Sequence, residues 1–488
     1  MTAPELEPGW AWLDELISPA PMKLDPAHVC VDATDRLLLD FAADFLTHHR
    51  TSDVAIIDDE FGALTCGVAS LLTPDSTVRV WSRSRGSLNA IRSNVEHVCQ
   101  VLQNSCATVE IVDECVDDPV TGTVKSSTQL CLLKLPTSVA AMERYSQVIA
   151  QAFVTNGVGV SGAEVLNHHD ERALAVGANS ADLAHSSDDN VDWDRSIPWG
   201  SSSQSSPALA VGGRLKFLTP AYTTALTRDF AKVSASRARQ KSRLLVAHRP
   251  LDRQRDAGQL FCKGQIELRG HTVNTVSFGS VFHGNILDLG SRLLLESFDD
   301  WLDSSAAATA WRNYFATGVG CETQQLTIAD LGCGNGSLTL LADRFCCARG
   351  LRPRFLASDD NYDAVTATVC ARAILPPRDQ SRICVTWDYS MSGVPDASVD
   401  LVLLNPPFHR SGSIDDRQIH GLVEAAARVV KDDGQLWVVF NSMLRYRRVV
   451  SAHFAQVRQR GRNPKFTVLQ ATLPRRTSQV QRSAESSR

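Results

Sequence analysis

The sequence predicts an α/β protein built as two tandem domains, each a mostly parallel sheet with helices on both faces. Three observations carry this. Short apolar runs alternate with helical patterns along most of the chain, the signature of a doubly wound sheet. A glycine-rich turn, Asp330-Leu331-Gly332-Cys333-Gly334-Asn335-Gly336, leaves one such run and opens a helix. The spacing of strand ends in the first half also returns in the second.

In the first half, Val54–Ile57, Val78–Trp81, Thr108–Val112 and Gln129–Leu133 read as strands. Between and around them Leu37–Leu46, Ala63–Leu72, Ser87–Val101 and Ser138–Val154 read as helices, from apolar residues at helical spacing. Residues 1–25 look like an irregular lead-in. In the second half the strands are Leu326–Ala329, Arg354–Ser358, Ile383–Val385, Asp400–Leu404, Gln435–Phe440 and Lys465–Leu473. The helices are Leu287–Leu302, Ser337–Phe345, Asp363–Ile374 and Ile414–Val430, with Gly434 as a turn. At 488 residues the chain is too long for one core. The expected division is 1–245 for a first domain, 246–280 for a linker and 281–488 for a second domain. Ser, Asp and Gly dominate residues 177–213, which read as a flexible surface insertion.

The repeat is specific. Gly62-Ala63-Leu64 follows the first strand of one half as Gly336-Ser337-Leu338 follows that of the other. The next strand ends at Ser82, 20 positions after Gly62, and at Asp359, 23 after Gly336. Leu133-Lys134-Leu135-Pro136 then stands where Leu404-Asn405-Pro406-Pro407 stands, with Lys134 72 residues after Gly62 and Asn405 69 after Gly336. The first copy is degenerate: one glycine replaces three, Ser82 replaces the acid and Lys134 replaces the Asn.

Composition excludes several classes. Apolar content is 43% and charged content 21%, ordinary for a globular protein, and no apolar run is long enough to span a bilayer. The acidic start, Met1–Asp14, lacks the basic and apolar regions of a signal peptide, so a cytoplasmic location is expected. Thirteen Cys without zinc spacing fit reduced thiols and no metal site. The net charge of −5 conceals a window, Gly434–Ala484, with no Asp or Glu and with Arg445, Arg447 and Arg448 among its ten cations. A second basic stretch holds Arg237, Arg239, Lys241 and Arg243. Such blocks are solvated faces or a phosphate-binding footprint.

Chemistry concentrates in the second half. Glycines let a backbone turn tightly and approach a ligand without a Cβ in the way. Gly332, Gly334 and Gly336 alone do not separate NAD, FAD and S-adenosylmethionine sites. Asp330 at the head of the loop suits the ammonium of S-adenosylmethionine. Asp359 or the adjacent Asp360, ending the next strand, can accept ribose hydroxyls, and Asp388 the adenine amine. Each could equally be a strand-terminal or capping carboxylate. Asn405-Pro406-Pro407-Phe408-His409, a stiff loop after a buried strand, offers an amide oxygen and a proline carbonyl to a planar amine, with Phe408 to stack on its ring. The bland alternative is a proline-punctuated turn. His409 could contact base or phosphate, or be structural.

On these motifs, together with Arg239-Gln240-Lys241-Ser242-Arg243-Leu244 and Leu287–Glu296, the chain resembles bacterial ribosomal RNA guanine-N2-methyltransferases with two tandem class I methyltransferase (Rossmann-like) domains. Phe61-Gly62-Ala63-Leu64 looks most like the branch acting on 23S RNA, with the 16S branch as the close alternative. The resemblance implies a catalytic second domain, a first domain that aids folding or RNA docking, S-adenosylmethionine as donor and guanine N2 as acceptor. A monomer is the default expectation. Adenine-N6 or protein-glutamine methylation uses similar loops, and a non-catalytic RNA-binding assembly factor is the alternative from another class.

Overall fold

A computed structural model of the protein describes residues 9–22, 24, 28–103, 105–113, 118–155, 206–253, 261–278, 286–311, 325–407 and 416–475. The chain divides into two compact units: residues 1–18, 29–82 and 87–257, and residues 19–28, 83–86 and 258–488. The first contains α1 (Ala11–Leu16), α2 (Ala33–His48), β1 (Asp53–Ile57), α3 (Ala63–Leu71), β2 (Thr77–Trp81), α4 (Arg85–Val101), β3 (Thr108–Ile111), α5 (Pro119–Thr123), β4 (Leu130–Lys134), α6 (Val139–Phe153), β5 (Ala208–Arg214), α7 (Pro220–Thr227), β6 (Phe230–Ala235) and β7 (Ser242–Pro250). The second contains β8 (Phe261–Leu268), β9 (His271–Phe278), α8 (Leu289–Leu302), α9 (Ser305–Ala310), β10 (Thr327–Leu331), α10 (Ser337–Ala348), β11 (Arg354–Asp359), α11 (Tyr362–Ala373), α12 (Pro377–Gln380), β12 (Ile383–Trp387), β13 (Val399–Leu404), α13 (Asp416–Val429), β14 (Val430–Asn441), α14 (Tyr446–His453), β15 (Phe454–Arg462) and β16 (Phe466–Pro474).

The two sheets have the same wiring. Seven strands run in the order β3-β2-β1-β4-β5-β7-β6 in one and β12-β11-β10-β13-β14-β16-β15 in the other. Five strands are parallel in each, and the last two pair antiparallel. The expected pair of tandem α/β domains is therefore present. The register matches residue for residue at the strand ends: Ile57 pairs with Leu133 as Leu331 pairs with Leu404.

The central strands are buried on both faces, which is why they read as continuous apolar runs rather than alternating ones. In the second unit Ile328, Leu401, Leu403, Trp437 and Val439 point into one core with α8 and α10. Ala329, Leu331, Val402, Leu404 and Val438 point into another with α13 and α14. Phe298 of α8 stands edge-on to Trp437 at 5.7 Å, and Trp301 lies 5.5 Å from the same ring. These aromatic pairs fix α8 on the sheet.

Several sequence readings need correction. Residues 208–213 of the expected insertion are β5, a buried strand; its Gly212 and Gly213 look like linker but pack so closely that a Cβ would lie 2.7 Å from Leu38 and 2.8 Å from Leu135. Residues 177–205 lie outside the described residues. The stretch 246–280, read as a connector, includes the end of β7 and the β8–β9 hairpin. The lead-in carries α1, and the basic window carries α14 and β15. The helix read to Val430 ends one residue earlier. Gly434 lies within β14, beside a register shift, rather than at a separating turn. Among the described residues no helix is long and apolar enough to cross a membrane, and the cysteines are free thiols.

Candidate active site

β10 delivers Asp330 and the glycine loop to the carboxyl edge of the second sheet. Gly332, Gly334 and Gly336 have φ of 82°, 57° and 78°, a left-handed backbone that other residues enter at a cost. Gly332 and Cys333 donate their N–H groups to Ser358 O at 2.8 and 3.0 Å, tying the loop to β11. Thr368 Oγ1 donates to Gly334 O at 2.8 Å from α11. The glycines differ in what they leave clear. A Cβ at Gly336 would meet Thr368 at 2.9 Å, whereas at Gly332 or Gly334 it would stand in open space. The first is a packing glycine; the other two keep a cradle open above the loop.

The acids separate by orientation. Asp359 Oδ2 accepts from Gly334 N at 2.9 Å and Oδ1 from Asn361 N at 2.8 Å, so this carboxylate faces the loop. Asp360 instead accepts from Ser84 Oγ at 2.8 Å and Gly86 N at 2.7 Å. Asp388 accepts from Gly393 N at 2.9 Å and from Ser392 Oγ, closing its own turn. Asp330 is fully buried. Its Oδ2 accepts from Thr339 Oγ1 at 2.6 Å, and its Oδ1 has no partner among the described residues. Burial, above all, pushes the Asp330 carboxyl up to about 7, with Asp359 adding to the rise.

Asn405 follows β13. Its Nδ2 donates to Asp288 Oδ2 at 3.0 Å and to Ser291 Oγ at 2.8 Å. Its Oδ1 is buried and has no hydrogen-bond partner among the described residues. Asp288 caps α8, accepting from Gly290 N and Ser291 N. The run Asp288-Leu289-Gly290-Ser291 at a helix start is a capping signature. Nothing in it signals that this cap meets a strand end 117 positions later. Pro406 is buried beside Asn405, while Phe408 and His409 lie outside the described residues.

The basic residues are dispersed over both units. Arg445, Arg447 and Arg448 are exposed on or just before α14. Arg458, Arg460 and Arg462 are exposed on the edge strand β15. None of these six has an acidic partner among the described residues; burial and the neighbouring Arg458 push the Arg460 guanidinium down. In the first unit Arg237 and Lys241 are exposed, Arg243 is half-buried, and Arg239 is committed to Asp40 at 2.6 Å.

The first unit repeats this framework without its opening. Gly62 caps α3 with φ of 94°, as Gly336 caps α10 with 78°. Four residues separate Ile57 from Gly62, as four separate Leu331 from Gly336. Asp58 falls at the place of Gly332 and has the same left-handed backbone, φ 60°. Its N–H donates to Trp81 O at 2.8 Å, the counterpart of Gly332 to Ser358. Glu60 takes the place of Gly334, and buried Phe61 that of Asn335. At the end of β4, Lys134 Nζ lies 2.8 Å from Asp35 Oδ1 and 3.9 Å from Asp32 Oδ1.

Two family models match the chain: the methyltransferase small domain over residues 272–470 and the RLMG N-terminal domain over residues 22–183. Each half of the chain is thus similar to one of these two domains. Curated relatives named ribosomal RNA large subunit methyltransferase G include one from Magnetococcus marinus, 27% identical over 270 residues, covering 54% of this chain and 62% of that protein. One from Yersinia pestis is 30% identical over 192 residues, covering 39% and 42%. The matched stretches thus span less than two thirds of these relatives' length. The family branch expected from the sequence, the large-subunit one, is the branch these names carry. A solved T. thermophilus 16S rRNA N2 methyltransferase, in complex with AdoMet and guanosine, superposes with a TM-score of 0.56 at 16% identity, covering 89% of this chain and 92% of that one. That likeness extends the tandem fold over most of this chain.

Proposed function

We propose that the protein methylates the exocyclic N2 amine of a guanine in ribosomal RNA, with S-adenosylmethionine as donor and 23S RNA as the favoured target. The observation that carries this reading is Asn405: a buried amide oxygen with no partner among the described residues, beside a cradle kept open by Gly332 and Gly334. The names of the relatives support the large subunit over the 16S alternative. A monomer working in the cytoplasm, where that RNA is made, completes the proposal.

The residues fit the donor. Gly332 and Gly334 leave room for its amino-acid end, Asp330 Oδ1 can face its ammonium, and Asp359 can turn to its ribose hydroxyls. Asp360, held by Ser84 and Gly86, is the weaker ribose candidate, and Asp388 must open its own turn to take the adenine amine. When bound, S-adenosylmethionine supplies an electrophilic methyl group.

The guanine amine is a poor nucleophile because its lone pair is delocalised into the ring. Asn405 Oδ1 and the Pro406 carbonyl accept its two hydrogens. That favours a pyramidal nitrogen, aims the lone pair and stabilises the positive charge that develops there. No side chain needs to act as a full base before transfer. Phe408 is assigned to stack on the base, and His409 to touch it or its phosphate.

The carrying experiment is mass-spectrometric mapping of guanine-N2 methylation in ribosomal RNA from a strain lacking the protein. One missing methyl, restored by the purified enzyme on that RNA, is expected; unchanged methylation overturns the reading. Two further outcomes are expected. Cofactor affinity should rise from about pH 6 to about pH 7.5, because Asp330 titrates near 7 and only its ionised form attracts an ammonium. Asp330→Asn should flatten that slope in a calorimetric titration. Replacing Arg458, Arg460 and Arg462 by Ala should weaken RNA binding and leave cofactor affinity unchanged. The salt slope should fall by about 0.7–0.9 for each phosphate no longer neutralised. Filter binding across a salt series measures it.

A further inference from the structure

We propose that Asp288 and Ser291 are positioning residues that lock the Asn405 amide in one orientation, so that its oxygen, never its nitrogen, meets the substrate amine. The inference rests on the guanine-N2 reading above and adds the device that makes Asn405 competent.

An Asn side chain is nearly symmetric in shape. A half-turn about its last bond exchanges an acceptor for a pair of donors with little change in packing. In the wrong orientation Asn405 would present N–H groups to another N–H donor. Something must therefore choose, and the neighbours do. An ionised carboxylate only accepts. Asp288 Oδ2 lies 3.0 Å from the amide nitrogen, and Ser291 Oγ lies 2.8 Å from it, so both amide hydrogens are used. A flipped amide would set its oxygen against the Asp288 oxygen, acceptor against acceptor. The correct orientation leaves Oδ1 as the atom without a partner among the described residues.

The chooser is itself held. Asp288 Oδ2 also accepts from Gly290 N at 2.9 Å and Ser291 N at 3.2 Å at the start of α8. Phe298 and Trp301 anchor that helix against Trp437. Gly290 completes the arrangement: a Cβ there would lie 2.9 Å from Asp288 Oδ2, crowding the carboxylate, and 3.5 Å from Asn405 Oδ1, in ordinary contact. The carboxylate has a second effect. Its charge on the N–H side polarises the amide and raises electron density on Oδ1, strengthening the acceptor as the substrate nitrogen becomes positive.

The first unit is an internal control. Asp32 caps α2 as Asp288 caps α8, accepting from Thr34 N at 2.7 Å and Asp35 N at 3.0 Å. Asp35 occupies the place of Ser291, three residues on. There the fourth strand ends in a cation that the two acids absorb. The same helix cap that seals Lys134 in one unit aims Asn405 in the other.

The test compares Asp288→Asn, Ser291→Ala and Ser291→Thr with the wild type on ribosomal RNA from a strain lacking the protein. Asp288→Asn preserves shape and a capping side chain but can donate as well as accept, so it removes the choice. We expect Asp288→Asn and Ser291→Ala each to lower kcat by on the order of 10- to 100-fold, with KM for RNA, Kd for S-adenosylhomocysteine and melting temperature nearly unchanged. Ser291→Thr, which keeps the hydroxyl, should retain most of kcat. An active wild type with both variants within about twofold in kcat overturns the lock alone. So does a kcat loss matched by an equal loss of S-adenosylhomocysteine affinity, which would assign the pair to the cofactor. A wild type that transfers no methyl to guanine N2 overturns the functional reading and the lock together.

Discussion

Asn405→Ala should reduce methyl transfer by at least about 10²- to 10³-fold, the effect of deleting one preorganised group that stabilises transition-state charge. Cofactor affinity should stay within about threefold, because the loss falls on an interaction made chiefly in the transition state. The structure supports the glycine loop and Asn405 through different residues. The glycine loop is braced by Ser358, Asp359 and Thr368, and Asn405 by Asp288 and Ser291. The two braces share no residue. Single-turnover methyl transfer with calorimetric titration of S-adenosylhomocysteine measures both. Equal loss in the two would show that Asn405 holds the loop rather than the amine.

Lys134→Met should strongly destabilise the first unit. The Lys134 side chain is 17% exposed and that of Asp35 is 2%. Removing one member of a buried ion pair typically costs about 3–5 kcal/mol, because the remaining charge is left without compensation. The cost should depend on pH. Burial, outweighing Lys134, already pushes the Asp35 carboxyl up to about 7. A carboxyl raised above its unfolded value holds its proton better in the folded state. Its contribution to stability therefore falls as pH rises from about 4 to about 7 and is level beyond. Without Lys134 the folded value rises further, so the variant should lose more at about pH 8 than at about pH 5.5. Urea-dependent hydrogen exchange of the β1 and β4 amides reports this unit alone. Lys134→Met combined with Asp35→Leu should recover much of the loss, since an apolar pair of similar volume often equals a buried ion pair. A single variant as stable as the wild type at the higher pH would mean that the pair is effectively solvated.

Much of the molecule was legible in its sequence because strong local signals coincide with sheet geometry. The central strands are buried on both faces, so Val54–Ile57 and Leu401–Leu404 stand out as unbroken apolar runs. The three glycines stand out because their backbone demands them, and Lys134 against Asn405 could be read as degenerate from spacing alone. The outer strands could not be read this way. β15 is an edge strand whose exposed Arg458, Arg460 and Arg462 mask its alternation. β5 carries Gly212 and Gly213 near its end, which serve close packing but look like a linker. Asp359 and Asp360 are adjacent and alike in type, and only their direction separates them. The meeting of Asp288 with Asn405 spans 117 positions, beyond any periodicity.

Asp58 carries a backbone cost that Gly332 does not. It sits at φ 60° where its counterpart is a glycine, in a turn of equal length with the same hydrogen bond to the neighbouring strand. For a residue with a Cβ that conformation costs on the order of 1 kcal/mol. The first unit thus shares the dihedral angle of the second unit's glycine loop at this position without sharing its residue. A left-handed Asp or Asn at a strand-to-helix turn is therefore a backbone marker of this loop geometry that the glycine pattern alone would miss.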